Sequence, residues 1–425
     1  MNSSRGGLVG KCGICETAIG ARRDGADMRD SVASGVEIGA LPRVAFISGS
    51  PRTLLGSRSS LIKALVAKGV PVLCAAPQFS TEQASQLLML GAEQATFDLE
   101  PKGPRLLADW RVEREILELF RKWKPDVVVA MTERVMALAL LAARRARIGR
   151  RIALINGFAP RGGSASEADV DPYIAAPRLL ARALKAADVA VFHNRDDLRD
   201  VIVTGVMPRS FNYMVLPGAG VDLSAFARQP LPPVSDGAVF VMVSALDDAH
   251  GVLTYCEAAR RLKERAPRTE FLLAGPAADS ATAISADVLR SYSGAVTFLG
   301  ALADVRPTLA RSHVFVYPSK REGMPRAVLE ALAVGRPIIT TATPGCRETV
   351  DDCVNGMLVA PGNVPELEDA MARLLMRPDQ LPSMARASRH KAERHFDERR
   401  VLSRWLDIVG LDGAHPQTAD SGQPQ

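Results

Sequence analysis

Residues 313–334 read His-Val-Phe-Val-Tyr-Pro-Ser-Lys-Arg-Glu-Gly-Met-Pro-Arg-Ala-Val-Leu-Glu-Ala-Leu-Ala-Val, and this stretch decides the fold class. The apolar run 313–317 predicts a buried strand, which a polar loop with a glycine follows. Pro325 then stands at the start of a segment with helical apolar spacing, where its missing N–H costs a helix little. A buried strand that leads through a short loop into a helix is the repeating unit of parallel α/β sheets.

The same alternation of strand and helix recurs on both sides of this stretch. The predicted strands are 43–48, 70–75, 95–98, 126–130, 151–156, 189–193, 213–216, 238–244, 270–274, 296–299, 313–317, 337–340 and 356–359. The predicted helices include 59–68, 82–90, 110–123, 177–187, 252–265, 303–311, 325–334, 365–376, 381–396 and 399–408. Two such series predict an α/β protein with two Rossmann-like domains.

A segment rich in proline and glycine, residues 229–237, separates the two series near the middle of the chain. We predict a disordered leader at 1–40, an N-terminal acceptor-side Rossmann-like domain at 41–226, a linker at 227–237, a C-terminal Rossmann-like domain that binds a nucleotide-sugar at 238–396, a C-terminal helix at 397–410 that can cross back, and a disordered tail at 411–425. In open α/β sheets, ligands bind at the carboxyl ends of the strands. The site is therefore expected to face the cleft between the two domains.

The composition of the 425 residues, 47% hydrophobic and 24% charged, is that of a globular protein. The longest apolar run, residues 135–143, is far shorter than the roughly 18 residues of a membrane span, which argues against a transmembrane protein. Residues 1–40 contain no apolar segment typical of a secretory signal. Six cysteines in a chain of this length do not indicate a disulfide framework. We therefore expect a cytoplasmic protein.

The formal net charge of +6 is compatible with a nucleic acid, an anionic membrane or a phosphorylated substrate as partner. No nucleic-acid motif or aromatic interleaving accompanies the basic residues, so we expect no nucleic acid. Basic side chains cluster in the first predicted domain at Arg111, Arg114, Arg121, Lys122, Lys124, Arg144, Arg145, Arg147, Arg150 and Arg151. They form either a solvated face or a peripheral contact with anionic lipid at the inner face of the membrane.

The start of the predicted helix after the strand 313–317 has the chemistry of an anion site. The first backbone N–H groups of a helix have no partner within the helix, and the helix dipole favours negative charge there. Gly323 lets a ligand approach the backbone closely. Glu330 lies on the predicted helix that follows the loop with Glu322. The two carboxylates can therefore reach different parts of one extended ligand.

This segment resembles the signature of retaining glycosyltransferases with the two-domain GT-B architecture, specifically family 4 (group 1) of the bacterial surface-polysaccharide type. Their pattern is a Glu, seven residues and a second Glu, with Gly-Leu/Met-Pro after the first. Glu322, the Gly-Met-Pro at 323–325 and Glu330 match that pattern. Further matches lie in family order at 217–222, 298–300, 336–340, 344–349 and 355–356.

The resemblance implies a metal-independent hexosyl- or N-acetylhexosaminyltransferase without a cofactor. It would move a sugar with retention from a nucleotide-sugar, UDP- or GDP-linked, to a glycan or lipid-linked acceptor. Glu322 would be the catalytic residue beside the donor sugar, and Glu330 would bind the ribose. The other implied donor-binding residues are Gly323, Met324, Pro325, Gly275, Phe298, Leu299, His250, Asp248, Lys320 and Arg326. The alternative is a catalytically weak or inactive GT-B protein that binds a nucleotide, a glycan or a partner enzyme.

The segment after the strand 238–244 departs from the family pattern. Relatives have an Arg and then a Lys before a Gly, and these cations neutralise the diphosphate. Here Asp248 and His250 stand at those positions. A carboxylate about 5 Å from a phosphate costs roughly 3 kcal/mol at an effective dielectric of 20. Either the loop aims Asp248 away while Lys320, Arg321 or Arg326 supplies the charge, or His250 is protonated, or the protein is weak or inactive.

The resemblance is weaker in the first domain. Relatives often carry a His pair after the strand that corresponds to 126–130, where this chain has Met-Thr-Glu. The candidate acceptor-side residues are Asn156, Gly157, Met131 and His193. Each also has an ordinary structural interpretation, such as a loop glycine or a hydrogen-bonded strand-end histidine.

Two other segments in family order have structural interpretations. Gly218 and Gly220 are expected to form a turn at the domain junction. Arg347 and Glu348 can pair with each other on the surface.

Overall fold

The structure is a computed structural model that describes residues 41–99, 104–156, 177–207, 211–234, 237–278, 280 and 282–411. The predicted leader 1–40, the candidate Gly157 and the tail from residue 412 lie outside the described residues. Within the described part, the strands form two parallel sheets, one of seven strands and one of six. The predicted α/β fold with two Rossmann-like domains is thereby confirmed.

The first sheet carries the first domain. Its strands are β1 (Val44–Ile47), β2 (Val72–Ala76), β3 (Glu93–Thr96), β4 (Val127–Met131), β5 (Arg150–Ile155), β6 (Val189–Phe192) and β7 (Tyr213–Val215), in the order β3-β2-β1-β4-β5-β6-β7. Ala45 and Ile47 lie in one core cluster, whereas Val44 and Phe46 lie in another. Both faces of β1 are therefore buried, which explains its continuous apolar sequence.

Helices pack against this sheet at α1 (Pro51–Leu55), α2 (Ser59–Ala67), α3 (Thr81–Leu90), α4 (Arg105–Trp123), α5 (Glu133–Arg145), α6 (Pro177–Leu184) and α7 (Arg195–Val203). Helix α4 begins at Arg105, earlier than the predicted start at residue 110. The sequence did not indicate its first turns, because Leu107 and Trp110 are exposed there and form no apolar stripe. Strand β3 lies at Glu93–Thr96 rather than at 95–98. It is an edge strand with mostly exposed side chains, so no apolar pattern marks its bounds.

The second sheet contains β8 (Val239–Val243), β9 (Glu270–Ala274), β10 (Thr297–Gly300), β11 (Val314–Tyr317), β12 (Ile338–Thr341) and β13 (Gly356–Val359), in the order β10-β9-β8-β11-β12-β13. The helices that follow are α8 (Val252–Arg265), α9 (Ala286–Arg290), α10 (Arg306–Arg311), α11 (Arg326–Val334), α12 (Cys346–Thr349), α13 (Val364–Met376), α14 (Leu381–His395) and α15 (Glu398–Val409). No helix in the described part of the chain combines the length and apolarity needed to cross a bilayer.

The strand order places the loops after β8 and β11 at a switch point of the second sheet. The chain leaves β8 for β9 on one side and later returns to pair β11 on the other side. Loops at such a point diverge and leave a crevice at the carboxyl ends of the strands. Asp248 and His250 lie in the loop after β8, and Glu322 lies in the loop after β11. The fold itself therefore brings these residues together.

Two chain crossings that pair with each other join the domains. The N–H of Val221 donates to the carbonyl of Phe396 at 2.8 Å, and the N–H of Glu398 donates to that of Val221 at 3.1 Å. Gly220 has φ +73, and a Cβ there would lie 2.7 Å from the Cα of Glu398. Beyond the second crossing, α15 places the buried Trp405 in the core of the first domain.

Candidate functional site

The loop between β11 and α11 presents backbone N–H groups at the start of a helix. Pro325 is the N-cap residue of α11, and no side chain caps this end. Among the hydrogen bonds of the described residues, none is donated by the N–H groups of Gly323 or Met324. Uncapped N–H groups at a helix start form an anion-binding site. The structure thus supplies the feature that the sequence predicted after β11.

Glu322 is held by three hydrogen bonds to one of its two carboxylate oxygens. Its Oε1 accepts from Tyr317 Oη at 2.8 Å, from Ser319 Oγ at 3.3 Å and from His250 Nδ1 at 2.9 Å. No described residue donates to Oε2. The side chain is therefore fixed through one oxygen, while the other remains available to a ligand.

The contact with Glu322 favours the protonated form of His250. The hydrogen bond from Nδ1 to Glu322 raises the pKa of His250 above its ordinary 6.5, although burial opposes this, and the nearby Asp247 carboxylate adds to the rise. Because Nδ1 is used by Glu322, a protonated His250 has its Nε2–H left to donate. His250 stands where the family pattern has a lysine, and its replacement of that lysine in function stays a proposal.

Asp248 forms an ion pair with Lys320 at 2.5 Å, between Oδ2 and Nζ. The backbone joins the same two loops, since the N–H of Lys320 donates to the carbonyl of Ala249 at 3.0 Å. The carboxylate of Asp248 is therefore compensated, but the ammonium of Lys320 is also engaged. In the first of the three interpretations, Lys320, Arg321 or Arg326 supplies the missing charge, and Lys320 can do so only when this pair opens.

Glu330 lies on α11, four residues after Arg326. Its side chain is 13% exposed and Oε1 accepts from Arg326 Nε at 2.9 Å. Burial raises the pKa of Glu330, and the Arg326 guanidinium opposes the rise. Arg326 Nη1 also donates to the carbonyl of Gly56 in the first domain at 3.2 Å. The predicted donor-side residues Glu322, Glu330 and Arg326 are thus brought to one edge of the sheet.

Two glycines allow the backbone segments of this edge to approach each other. Gly275 has φ +153, and a Cβ there would lie 1.6 Å from the carbonyl oxygen of Ser244. Gly345 has φ +74, and a Cβ there would lie 2.4 Å from the carbonyl oxygen of Gly323. Sequence reasoning assigned Gly275 a ligand contact, and the structure gives it a close backbone contact. Sequence reasoning missed the packing of Gly345 on the loop that carries Glu322.

A mostly apolar cavity of about 210 Å³ opens beside β9 and β10. Its lining residues are Leu246, Leu273, Gly275, Ala286, Leu289, Arg290, Ser293, Phe298 and Gly300. Phe298 and Gly275 were predicted on the donor side, whereas Leu299, predicted with them, is not among the lining residues. The cavity contains no carboxylate in its described lining.

On the first-domain side, a buried arginine organises the predicted acceptor residues. Arg58 Nη2 lies 2.6 Å from His193 Nε2, and His193 Nδ1 lies 2.7 Å from Asn156 Oδ1. Burial lowers the pKa of Arg58 to about 10, and burial and the Arg58 charge hold the pKa of His193 well below 6.5. His193 is thus neutral and donates to Asn156. Met131 is 2% exposed and packs in the core, so its side chain is not presented to an acceptor.

The first turn of α7 contacts the second domain directly. Asn194 Nδ2 donates to the carbonyl of Gly323 at 2.7 Å, and the N–H of Arg195 donates to Glu348 Oε1 at 2.6 Å. Arg347 Nε lies 3.2 Å from Asp196 Oδ2. The expectation that Arg347 and Glu348 pair with each other is wrong, because each finds its partner across the domain boundary.

The comparisons with known proteins agree with this geometry. Residues 237–377 match the family model described as glycosyl transferases, group 1. The similarity to group 1 glycosyl transferases is thus carried by residues 237–377, about a third of the chain. The resemblance inferred from Glu322 and Glu330 is confirmed, and the group 1 domain contains every donor-side residue that the sequence predicted.

Relatives extend the similarity beyond the group 1 domain. The chain is 23% identical over 381 residues, 86% of this chain and 98% of the relative, to the N,N'-diacetylbacillosaminyl-diphospho-undecaprenol alpha-1,3-N-acetylgalactosaminyltransferase of Campylobacter jejuni. It is 26% identical over 290 residues to the UDP-Gal:alpha-D-GlcNAc-diphosphoundecaprenol alpha-1,3-galactosyltransferase of Escherichia coli, covering 63% of this chain and 71% of that protein. The crystal structure of Anabaena HepE in complex with UDP aligns with a TM-score of 0.69 at 17% identity, covering 86% of this chain and 99% of HepE. The last similarity confirms the GT-B fold.

The basic residues ahead of the group 1 domain are partly neutralised. Ion pairs join Arg145 to Glu113 at 2.9 Å, Arg151 to Asp188 at 2.5 Å and Arg114 to Glu118 at 3.1 Å. The electrostatic attraction of this face for an anionic membrane is therefore smaller than a count of its arginines indicates. Lipid contact through this face stays a prediction.

The coupling of His250 to Glu322 can be measured directly. In Glu322→Gln the carboxylate that raises the pKa of His250 is gone while burial remains, so the pKa falls below that of the wild type. Because the folded pKa of the wild type is raised, the pair stabilises the fold below the unfolded pKa of about 6.5, and this stabilisation is lost as pH rises through the folded pKa. An NMR titration of the His250 ring measures this pKa in the wild type and in Glu322→Gln. Identical titration midpoints would contradict the assignment.

Proposed function

We propose that this protein is a glycosyltransferase of bacterial polysaccharide or lipid-linked sugar synthesis that takes a hexose or N-acetylhexosamine from a UDP-sugar with retention. The observation that carries the proposal is the uncapped start of α11, together with the preceding N–H groups of Gly323 and Met324, which donate to no described residue. We propose that these groups and nearby cations neutralise the diphosphate without a metal ion.

In this proposal the donor lies across the switch point of the second sheet. The diphosphate binds at the start of α11, where N–H groups and the helix dipole favour an anion. Glu330 accepts hydrogen bonds from the ribose hydroxyls. Burial raises the pKa of Glu330, and the Arg326 guanidinium opposes the rise and so favours the ionised, accepting form.

The 210 Å³ cavity beside β9 and β10 is the proposed base site. Guanine presents two adjacent N–H donors that a carboxylate pairs best, and no carboxylate belongs to the described lining. Uracil is smaller and has one such donor, which a backbone carbonyl satisfies. The composition of the cavity therefore favours uracil over guanine. HepE, which shares the fold, was crystallised with UDP.

Glu322 and His250 take the proposed chemical roles. Glu322 Oε2 contacts the donor sugar, and its negative charge stabilises positive charge that develops at the anomeric carbon. The bond from this carbon to the diphosphate breaks, the acceptor oxygen bonds to the same carbon, and its proton passes to the departing phosphate. The Nε2–H of protonated His250 stabilises the leaving group. This arrangement supports a role for His250 that the family pattern gives to a lysine.

The acceptor is proposed to be a lipid-linked sugar that enters from the first domain. Both named relatives act, by their names, on acceptors built on diphospho-undecaprenol. Asn156 is exposed at the end of β5, and His193 fixes its amide through Oδ1. The amide nitrogen is thereby left to bind an acceptor hydroxyl. A cytoplasmic protein that visits the inner face of the membrane suits such an acceptor.

One observation favours the alternative of a binding protein with little or no turnover. Asp248 stands where the family pattern has an arginine, and it engages Lys320 in an ion pair. If the pair stays closed, no cation takes the place of the arginine of that pattern at the diphosphate. Nucleotide binding would then persist through the N–H groups, but the leaving group would be poorly stabilised.

The two glutamates can be separated by experiment. Glu330→Gln should weaken UDP binding about tenfold, because a charged acceptor is replaced by a neutral one. Glu322→Gln should retain UDP binding and lose turnover by at least about a hundredfold. Calorimetry with UDP and GDP, and transfer from UDP-sugars to an undecaprenyl-diphosphate-linked sugar, measure the two effects. Glu264→Gln, an exposed acid on α8, is the matched control.

The outcomes distinguish the two functions. UDP binding with transfer supports the enzyme, and UDP binding without transfer to any acceptor supports the alternative. Wild-type behaviour of both glutamate variants on a working donor and acceptor would show that the site assignment is wrong.

The ion pair between Asp248 and Lys320 gives a second test. Asp248→Asn removes a carboxylate from the diphosphate site and releases the Lys320 ammonium, so affinity for the UDP-sugar should rise by about tenfold. Lys320→Met should lower affinity in the wild-type background and abolish the gain in the Asp248→Asn background. Calorimetry at low and high salt measures these effects. An unchanged affinity in Asp248→Asn would mean that the pair lies away from the diphosphate.

A further inference from the structure

Asn194 connects the first domain to the loop that carries Glu322. It follows β6 and is the N-cap residue of α7, where its Oδ1 accepts from the N–H of Asp197 at 2.7 Å. Its Nδ2 donates to Asp197 Oδ2 at 2.9 Å and to the carbonyl of Gly323 at 2.7 Å. The residue is fully buried. One side chain thus caps a helix in the first domain and holds a peptide group in the second.

The bond to Gly323 fixes the direction of a neighbouring N–H. In a trans peptide the C=O of residue 323 and the N–H of residue 324 belong to one plane and point in opposite directions. When Asn194 holds the carbonyl of Gly323, the N–H of Met324 points away from the first-domain side chain. Among the hydrogen bonds of the described residues, none is donated by this N–H. It is therefore oriented and available to a ligand.

Without this bond the peptide has little else to hold it. Gly323 has no Cβ, so its backbone can reach conformations that other residues avoid. Gly345 packs against the carbonyl of Gly323. A Cβ at residue 345 would lie 2.4 Å from this carbonyl oxygen, so only glycine leaves room for it. The carbonyl lies in a slot between Gly345 of its own domain and Asn194 of the other. Of the residues that the structure describes, Asn194 is the one that donates a hydrogen bond to this carbonyl.

We propose that Asn194 is a positioning residue that orients the Met324 N–H toward the donor diphosphate, so that this N–H is presented only when the two domains are closed. This inference rests on the proposed donor site. It makes closure a condition for full diphosphate affinity, whereas the base and ribose sites lie within the second domain and do not depend on Asn194. Binding of the diphosphate and binding of the nucleoside are thereby separated.

The neighbouring contacts of α7 supply a control. Arg347 pairs with Asp196 across the same boundary, and its side chain is 47% exposed. An ion pair with this exposure contributes little to stability. Arg347→Met therefore removes an interdomain contact of α7 without removing the hydrogen bond to the Gly323 carbonyl.

The test compares UDP with uridine on the full chain. In Asn194→Ser the serine still caps α7, since Ser and Asn are comparable N-cap residues, but it is too short to reach the Gly323 carbonyl. UDP affinity should fall about three- to tenfold, because the hydrogen-bond donor to the diphosphate is no longer oriented. Uridine affinity should remain within twofold of the wild type. Arg347→Met should leave both within about twofold. Competition calorimetry measures the affinities, and thermal unfolding checks the fold; Asn194→Thr replaces the serine variant if the latter is unfolded.

Each outcome of this test either supports or contradicts the role of Asn194. A selective loss of UDP affinity in Asn194→Ser supports the proposal. A parallel loss of UDP and uridine affinity would mean that Asn194 has a structural role only, and no loss of either would overturn the proposal. A wild-type protein that binds neither UDP nor GDP would refute the donor site itself, which separates that failure from a failure of the Asn194 inference.

Discussion

The unsatisfied hydrogen-bonding capacity at the start of α11 is the constraint on which the rest of the site depends. A helix start without a cap leaves N–H groups that require an anion or water. Here the preceding strand is buried and the following helix is packed into the core, so the loop between them is fixed at both ends. Glu322 precedes these N–H groups in the loop, and Glu330 follows them on α11.

Both domains contribute residues to this candidate site. The second domain provides the carboxylates, the cavity and the helix start, while the first domain contributes Asn194 and the carbonyl of Gly56, which hold Gly323 and Arg326. The paired crossings at Val221 and Phe396 keep the domains in register, and α15 returns to the core of the first domain. These contacts link the first domain to the geometry of the loop that is proposed to bind the diphosphate.

Much of the fold could be predicted from the sequence because buried parallel strands are continuous apolar runs. The predicted bounds were wrong where the side chains are exposed and no apolar pattern marks the element, as in the edge strand β3 and the first turns of α4. Glu322 and Glu330 could be proposed from the sequence because the nine residues 322–330 carry the signal in one continuous segment. Asn194 and Arg58 were missed because their partners, Gly323 and His193, are distant in sequence, and only the folded chain brings them together. The pairing of Asp248 with Lys320 could likewise not be predicted, because both lie in loops, where no periodic pattern indicates which side chains meet.

A crystal structure of the full chain with UDP tests the central claim most directly. The account predicts a phosphate oxygen about 3 Å from the Met324 nitrogen, a ribose hydroxyl at Glu330, and uracil in the cavity lined by Phe298. A diphosphate bound away from the start of α11, or a base outside that cavity, would contradict it.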